Sequence, residues 1–131
     1  RVLKHSGRLV IAATLTGKNT PSDEQAKQLQ VGLDVAGAFK DSKTGQEIKE
    51  LMEDAGFGEV FLSDFTKEVM PSAVQMTNMC RWGLPVAKVL NKVVPQYVPK
   101  EIILNNEWGL YQEKLFASGV TTYNILVGTK E

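Results

Sequence analysis

The feature that most constrains the fold is a continuous apolar run near the start of the sequence, "GRLVIAAT", from Gly7 to Thr14. A strand with water on one face alternates apolar and polar side chains, whereas this run has almost no polar position. A run of this kind, entered through a Ser-Gly turn, is typical of a strand covered on both faces in a largely parallel sheet. We therefore expect an α/β fold in which this segment is an interior strand.

Two helices are predicted after this strand. The first begins behind a loop that contains Gly, Asn and Pro, with an N-cap at Ser22 or Asp23. The second has signals at both ends, because Thr44 and Glu47 form a capping box and Gly56 stands where a left-handed C-terminal residue belongs. The boundaries of the second helix are therefore read directly from the sequence.

Two later segments have the composition of strands. "EVFLSDF", Glu59 to Phe65, and "TTYNILVG", Thr121 to Gly128, combine β-branched and aromatic residues. The order strand, helix, helix, strand predicts a right-handed crossover that places the first two strands in one sheet. We expect the last strand to pair with them.

The segment between these two strands differs in composition. Residues 67–117 contain three of the four methionines and both tryptophans, and four prolines interrupt them. Because proline breaks helices, the segment is expected to form short helices near 72–82, 85–94 and 100–117. The predicted organisation is an α/β core, residues 1–66 and 118–131, with residues 67–117 inserted as a helical subdomain.

Composition excludes several classes of function. With 131 residues, of which 43% are hydrophobic, the chain has the size of one domain. Fifteen basic and fifteen acidic side chains leave no net field that favours nucleic acid or an anionic membrane surface. Cys80 and His5 are the single cysteine and histidine, which excludes an internal disulfide, and the sequence indicates neither a Cys/His zinc cluster nor a Ser-His-Asp relay. Without an apolar run of about 18 residues, the protein is expected to be soluble and cytoplasmic.

The sequence contains few motifs that carry chemistry. Neither a G-x-G-x-x-G nor a Walker A pattern occurs, so the chain has no phosphate-cradling loop of its own. Asp64 and Thr66 follow the second strand, where open α/β sheets place ligand contacts. The alternative is that these two residues only cap the next turn. His5, which has no neighbouring carboxylate, is more consistent with a solvated turn than with a general base, and Cys80 with an inert buried thiol.

Flexible apolar side chains in the helical segment are candidates for a substrate pocket. Met76, Met79 and Trp82 either line a pocket for an apolar ligand or pack in the core. Tyr111, three residues after Trp108, has the same two interpretations. The candidate substrate-binding residues are Thr66, Met76, Met79, Trp82 and Tyr111. The sequence indicates no catalytic, cofactor-binding or metal-binding residue.

Three segments together resemble a known family. In order they are "RVLKHSGRLVIAA", "ELMEDAGFGEVFLSDFTKEVMPS" and "SGVTTYNILVGTKE", and they resemble the C-terminal half of a class I S-adenosylmethionine-dependent methyltransferase. That family commonly has a Leu-Lys-Pro-Gly-Gly turn before its fifth strand, an Ala-Gly-Phe after the next helix and an Asp-x-Thr after its sixth strand. This chain has "LKHSG", "AGF" and "DFT", so His5 and Ser6 depart from the usual Pro and Gly.

The resemblance implies a Rossmann-like half-fold. Its sheet would be three-stranded and mixed, ordered five, seven, six with the last strand antiparallel, and residues 67–117 would cover the substrate as a lid. The methyl donor would be S-adenosylmethionine, and a lid rich in methionine resembles those of enzymes that act on lipids, prenylated quinones or sterols. The acceptor would therefore be small and apolar. No nucleic-acid partner is implied.

The family holds its cofactor on strands one to four, which this chain does not match. The resemblance therefore implies a fragment that supplies the substrate side, and that does not bind S-adenosylmethionine appreciably alone. Residues 8–14 would then be an unpaired edge, for which we expect a homodimer of the fragment. The alternative is an independent, non-catalytic binding or dimerisation module that shares the half-fold.

Overall fold

The computed structural model of the chain describes residues 3–36 and 43–131. Residues 1–2 and 37–42, which belong to the predicted α/β core, lie outside the described residues. The described elements, in chain order, are β1 (Arg8–Thr16), α1 (Asp23–Ala36), α2 (Gly45–Asp54), β2 (Phe57–Asp64), α3 (Thr66–Val93), α4 (Lys100–Ala117) and β3 (Thr121–Lys130).

The strands form one sheet with the order β1-β3-β2. β3 is antiparallel to both neighbours, so β1 and β2 run in the same direction on either side of it. Ile11 and Leu62 both lie beside Leu126, which places these three side chains on one face of the sheet. The predicted α/β half-fold, with its strand order and its antiparallel last strand, is confirmed.

β1 is one of the two edge strands of this sheet, as the family resemblance implied for residues 8–14, and its burial corrects the expectation of an interior strand covered on both faces. Its residues are alternately exposed and partly buried from Arg8 to Ala12, and Val10 is 59% exposed. β3 pairs with one edge of β1 along its whole length. On the other edge, the described part of the chain contributes one bridge, from Thr16 to Thr44. An apolar run therefore does not by itself show which strands flank it.

One hydrophobic cluster of the core lies between the sheet and α2. Met52, Val60 and Leu126 are buried there, and partly buried apolar residues surround them: Leu9, Ile11, Leu15, Ile48, Phe57 and Leu62. α2 is held in register by the predicted capping box and ends before Gly56, whose φ is +80°. Both predicted boundaries of this helix are confirmed.

α3 is one helix across both of its prolines, which corrects the expectation of separate helices near 72–82 and 85–94. Pro71 and Pro85 lie inside it, and each removes one helical hydrogen bond at a cost of about 3 kcal/mol. Packing on α4 offsets that cost, because Ala73, Thr77 and Ala87 are buried. The helix predicted near 100–117 is confirmed as α4.

α1 packs on α4 rather than on the sheet, and its start matches the prediction. The Ser22 hydroxyl accepts a hydrogen bond from the Gln25 N–H at 3.3 Å, and the Gln25 side chain accepts one from the Ser22 N–H at 2.9 Å. The Trp108 ring of α4 lies over Gly32. No helix in the described ranges has both the length and the apolar character that crossing a membrane requires.

Candidate functional site

The carboxyl ends of β1 and β2 lie at one edge of the sheet, beside the first turns of α2 and α3. Two adjoining clefts open there and share Asp64 and Thr122 as walls. The narrower cleft, of about 370 Å³, lies towards the Thr16–Lys18 turn and the start of α2. The wider cleft, of about 540 Å³, lies between the start of α3 and the end of α4. This edge is where open α/β sheets bind ligands.

Asp64 and Thr66 form a hydrogen-bonded pair between the two clefts. The Asp64 Oδ1 atom accepts from the Thr66 N–H at 2.8 Å and from the Thr66 hydroxyl at 2.5 Å. The Thr66 hydroxyl oxygen in turn accepts from the Tyr123 N–H at 2.9 Å. The pair therefore ties the end of β2 to the start of α3 and to β3. The capping role that the sequence left open is present, and the same pair lines the wider cleft.

Amide and hydroxyl groups form the floor of the narrower cleft. Asn124 is buried, and its amide donates to the Thr122 hydroxyl at 2.8 Å. Gly45, the first residue of α2, lies against the Asn124 side chain, and a Cβ added there would come within 3.3 Å of it. The positive end of the α2 dipole therefore borders this cleft.

The first turn of α2 carries a charge next to the narrower cleft. The pKa of Glu47 lies below its usual range, chiefly because the Thr44 N–H donates to the carboxylate at 2.7 Å and secondarily because the Thr44 hydroxyl also donates to it. The carboxylate faces water and is bound in the capping box. It holds the helix start in place and is not positioned as a proton carrier.

The structure separates the five residues predicted to bind substrate. Thr66 lines the wider cleft, whereas Met76 lines a different groove of about 210 Å³. Met79 and Trp82 lie on the outer surface of α3 and are 67% and 79% exposed. Tyr111 is partly buried on α4 and lines neither of the two clefts. The predicted pocket residues are thus not gathered around one cavity in the described chain.

The single histidine and the single cysteine lie away from the two clefts. His5 lies with Lys4 and Lys130 at the opposite end of the sheet. Cys80 is a partly buried free thiol against Gly109, and burial raises its pKa, so the thiol stays protonated at neutral pH. Residues 3–36 and 43–131 hold no cluster of three side chains that could bind a metal ion.

Sequence reasoning missed several residues that line the clefts, among them Thr16, Thr122 and Asn124. Thr122 and Asn124 lie in a segment with the composition of a strand, and Thr16 lies in the predicted loop after the first strand; in both places a polar side chain is interpreted as a surface residue. The available signal was Asn124 itself, because asparagine disfavours strands and tends to be there for a specific hydrogen bond. The pairing of Asn124 with Asp64 across the sheet could not be read from their separation in sequence.

Comparison with known proteins gives a match in structure only. No protein-family model and no curated protein matches the chain. Its fold is similar to that of phosphoethanolamine N-methyltransferase 2 from Haemonchus contortus in complex with phosphomonomethylethanolamine and S-adenosylhomocysteine, with a TM-score of 0.65 and 15% identity over 99% of this chain. The same enzyme in complex with S-adenosyl-L-methionine gives a TM-score of 0.66, also at 15% identity and 99% coverage. This chain spans 28% and 27% of the length of those two chains.

These matches define the class of fold. The chain has the α/β fold of part of a Rossmann-like methyltransferase domain, and both the strand order and the antiparallel β3 agree with that class. The two solved structures reported above, both of phosphoethanolamine N-methyltransferase 2, share this fold.

Proposed function

We propose that this chain is the acceptor-side half of a class I methyltransferase that transfers a methyl group from S-adenosylmethionine to a small molecule. The observation that carries the proposal is the structural match, which covers 99% of this chain and about a quarter of each methyltransferase, with the same fold. Such enzymes act mainly by aligning donor and acceptor, so this chemistry does not require a dedicated acid-base pair.

The described residues alone do not fit the methyl donor. The loop after β1 is closed, because the Gly17 N–H donates to the Val120 carbonyl at 2.8 Å and the Asn19 N–H donates to the Gly119 carbonyl at 3.2 Å. The Asp64 carboxylate is engaged with Thr66. We therefore propose that S-adenosylmethionine is held by a part of the complete protein outside this chain, and that calorimetry with the 131-residue chain detects no micromolar binding.

For the acceptor we propose a small, predominantly apolar molecule of the lipid, prenylated quinone or sterol type. The support is the wider cleft, where Met70, Phe116 and Ala117 provide apolar walls beside the Asp64–Thr66 pair. Thr66 is the predicted site residue on which this part of the proposal rests. We place the protein in the cytoplasm because Cys80 is a free thiol.

The experiment uses the protein encoded together with about a hundred upstream residues, roughly half a domain. Methyl transfer from labelled donor is measured against apolar acceptors and, as a contrasting class, phosphorylated amines. Thr66→Val should lower kcat/KM about tenfold or more while donor affinity stays the same, because only the acceptor side changes. Thr66→Ser, which keeps the hydroxyl, is the matched control. A longer protein that neither binds the donor nor methylates any acceptor would overturn the proposal.

The free edge of β1 favours a second candidate, a non-catalytic dimerisation module. Apart from the bridge between Thr16 and Thr44, the described residues leave this edge without a neighbouring strand. We propose that the isolated chain forms a homodimer through residues 8–14. Light scattering at high concentration should show the dimer, and Ala12→Lys should weaken it. A monodisperse monomer would count against this pairing.

A further inference from the structure

An apolar stripe runs along the outer face of α3. Met79, Trp82, Val86, Val89 and Val93 follow one another at alternating steps of three and four residues, which places them on one side of the helix. Each is exposed, from 58% for Val86 to 79% for Trp82. The stripe is about 21 Å long at 1.5 Å per residue. We call these five residues the α3 stripe.

A row of cations lies beside the α3 stripe. Arg81, Lys88 and Lys92 are all exposed, and their spacing of seven and four residues aligns them along one flank of the helix. Lys88 forms an ion pair with Glu107 of α4 at 3.0 Å. Residues 69–100 contain no Asp or Glu, although acidic and basic residues are balanced over the whole chain. The segment that presents the stripe therefore carries a local excess of positive charge.

We propose that the α3 stripe docks on the surface of a bilayer that contains anionic lipids. An exposed apolar face with a tryptophan, next to a row of cations and without acids, matches what such a surface offers: an acyl boundary for the apolar side chains and anionic headgroups for the cations. Tyr97, 76% exposed just beyond α3, adds a second aromatic ring suited to the interface. This inference assigns Met79 and Trp82 a role outside the acceptor pocket, and it does not depend on methyl transfer.

A second copy of the chain is the alternative partner for the α3 stripe, because apolar residues at steps of three and four also suit a pair of helices. Two observations disfavour it. The stripe covers only two heptads, whereas coiled coils need about three or four. Pairing would also bring two cationic segments together, because residues 69–100 contain no acid and Glu107 of α4 is already paired with Lys88. Charge complementarity therefore selects the anionic bilayer.

The test measures binding of the 131-residue chain to vesicles of phosphatidylcholine, with and without about 30 mol% phosphatidylserine. We expect sedimentation with the anionic vesicles only, and loss of binding at about 1 M salt, where the screening length is about 3 Å. Emission from Trp82 should shift to the blue and be quenched by brominated acyl chains. Trp82→Phe should keep the binding and remove that shift, because the other tryptophan, Trp108, packs over Gly32.

Matched variants locate the contact. Val86→Asp should weaken binding about tenfold or more, since it places a charge in the stripe. Arg81→Gln and Lys92→Gln should each weaken it about fivefold. Phe61→Asp, which changes an equally exposed apolar residue on β2, is the control and should bind normally. Circular dichroism checks that each variant is folded.

Three results would overturn the inference. The first is that neither kind of vesicle is bound. The second is that Val86→Asp and Phe61→Asp bind equally well or lose binding equally. The third is that the chain binds no vesicles but self-associates in a way that Val86→Asp abolishes, which would show that a second copy covers the stripe.

Discussion

The sheet core and α3 use apolar residues in opposite ways. Between the sheet and α2, the large side chains point inward, and Leu126 and Met52 are at most 5% exposed. In α3 the buried residues are small, as in Ala73 and Ala87, and many of the large apolar ones are exposed. The core is therefore stabilised by apolar area removed from water, and α3 by the close approach of two helix backbones that small residues permit.

This difference shows that apolar content does not reveal which face of an element is covered. α3 is rich in Met, Trp and Val, yet its contact with α4 depends on Thr77, whose hydroxyl donates to the Gly109 carbonyl at 3.2 Å, and on the absence of a side chain at Gly109. Substitutions can therefore distinguish the two regions. Removing side-chain volume should destabilise the sheet core, whereas adding side-chain volume should destabilise the contact between α3 and α4.

The largest effect is expected in the sheet core. Leu126→Ala removes a fully buried side chain from the middle of β3 and should lower the free energy of unfolding by about 3 kcal/mol. Val127→Ala, one residue later and on the opposite face of the sheet, is the control and should cost less than half as much. Urea denaturation measures both. Equal losses would show that the two faces are covered equally.

The second test adds volume to α3. Ala87→Leu introduces a large side chain where α3 meets α4 and should cost about 2 kcal/mol through overpacking. Val86→Leu makes a similar change on the exposed stripe and should stay within about 0.5 kcal/mol of the parent chain. If the two variants have the same melting temperature, Ala87 does not lie in a tightly packed contact between α3 and α4.

The third test concerns the cap of α2. Thr44→Ala removes the hydroxyl that accepts from the Glu47 N–H and should cost about 1 kcal/mol at pH 7. Because the folded-state pKa of Glu47 is lowered, its contribution is present above its unfolded pKa and is lost as the pH falls through the folded value. Glu47→Gln should therefore be less stable than the parent at pH 7, with the difference shrinking in acid. A difference that is constant from pH 7 to strongly acidic conditions would contradict this linkage.

The smallest effect is expected at the turn before β1, and it is stabilising. The Gly7 N–H donates to the Lys4 carbonyl at 2.9 Å, and Ser6 between them has a φ of 63°. That conformation suits glycine, so Ser6→Gly should raise the free energy of unfolding by about 0.5 kcal/mol. His5→Gly, at a position without a positive φ, is the control and should not stabilise. The turn is unstrained if Ser6→Gly is neutral or destabilising.

Local signals in the sequence were sufficient for the strands, for α2 and for the start of α1. Caps and the Gly56 terminus act over a few residues, so the boundaries of α2 followed from Thr44, Glu47 and Gly56 alone. The strand order came from the family resemblance. The continuity of α3 could not be predicted, because the penalty at Pro71 and Pro85 is local, whereas the packing that overcomes it comes from α4.

The candidate site was predictable only in part, for a related reason. Asp64 and Thr66 lie two residues apart in sequence, and their place at the end of a strand was enough to identify them as candidates. Thr16 and Asn124 reach the same edge from opposite ends of the chain, through the pairing of β3 with both other strands. Exposure of Met79 and Trp82 depends on which side of α3 meets α4, and helical periodicity alone does not decide that.

The position of β3 also affects the order of events during synthesis. The central strand of the sheet is the last of the three to leave the ribosome, so β1 and β2 have no partner within the sheet until residues 121–130 emerge. The β1–β3 contacts span more than a hundred residues, and contacts of such high sequence separation form slowly. Within the described chain, β1 therefore cannot complete its pairing until α1 to α4 have been translated, so the folding of this sheet is coupled to the completion of its last strand.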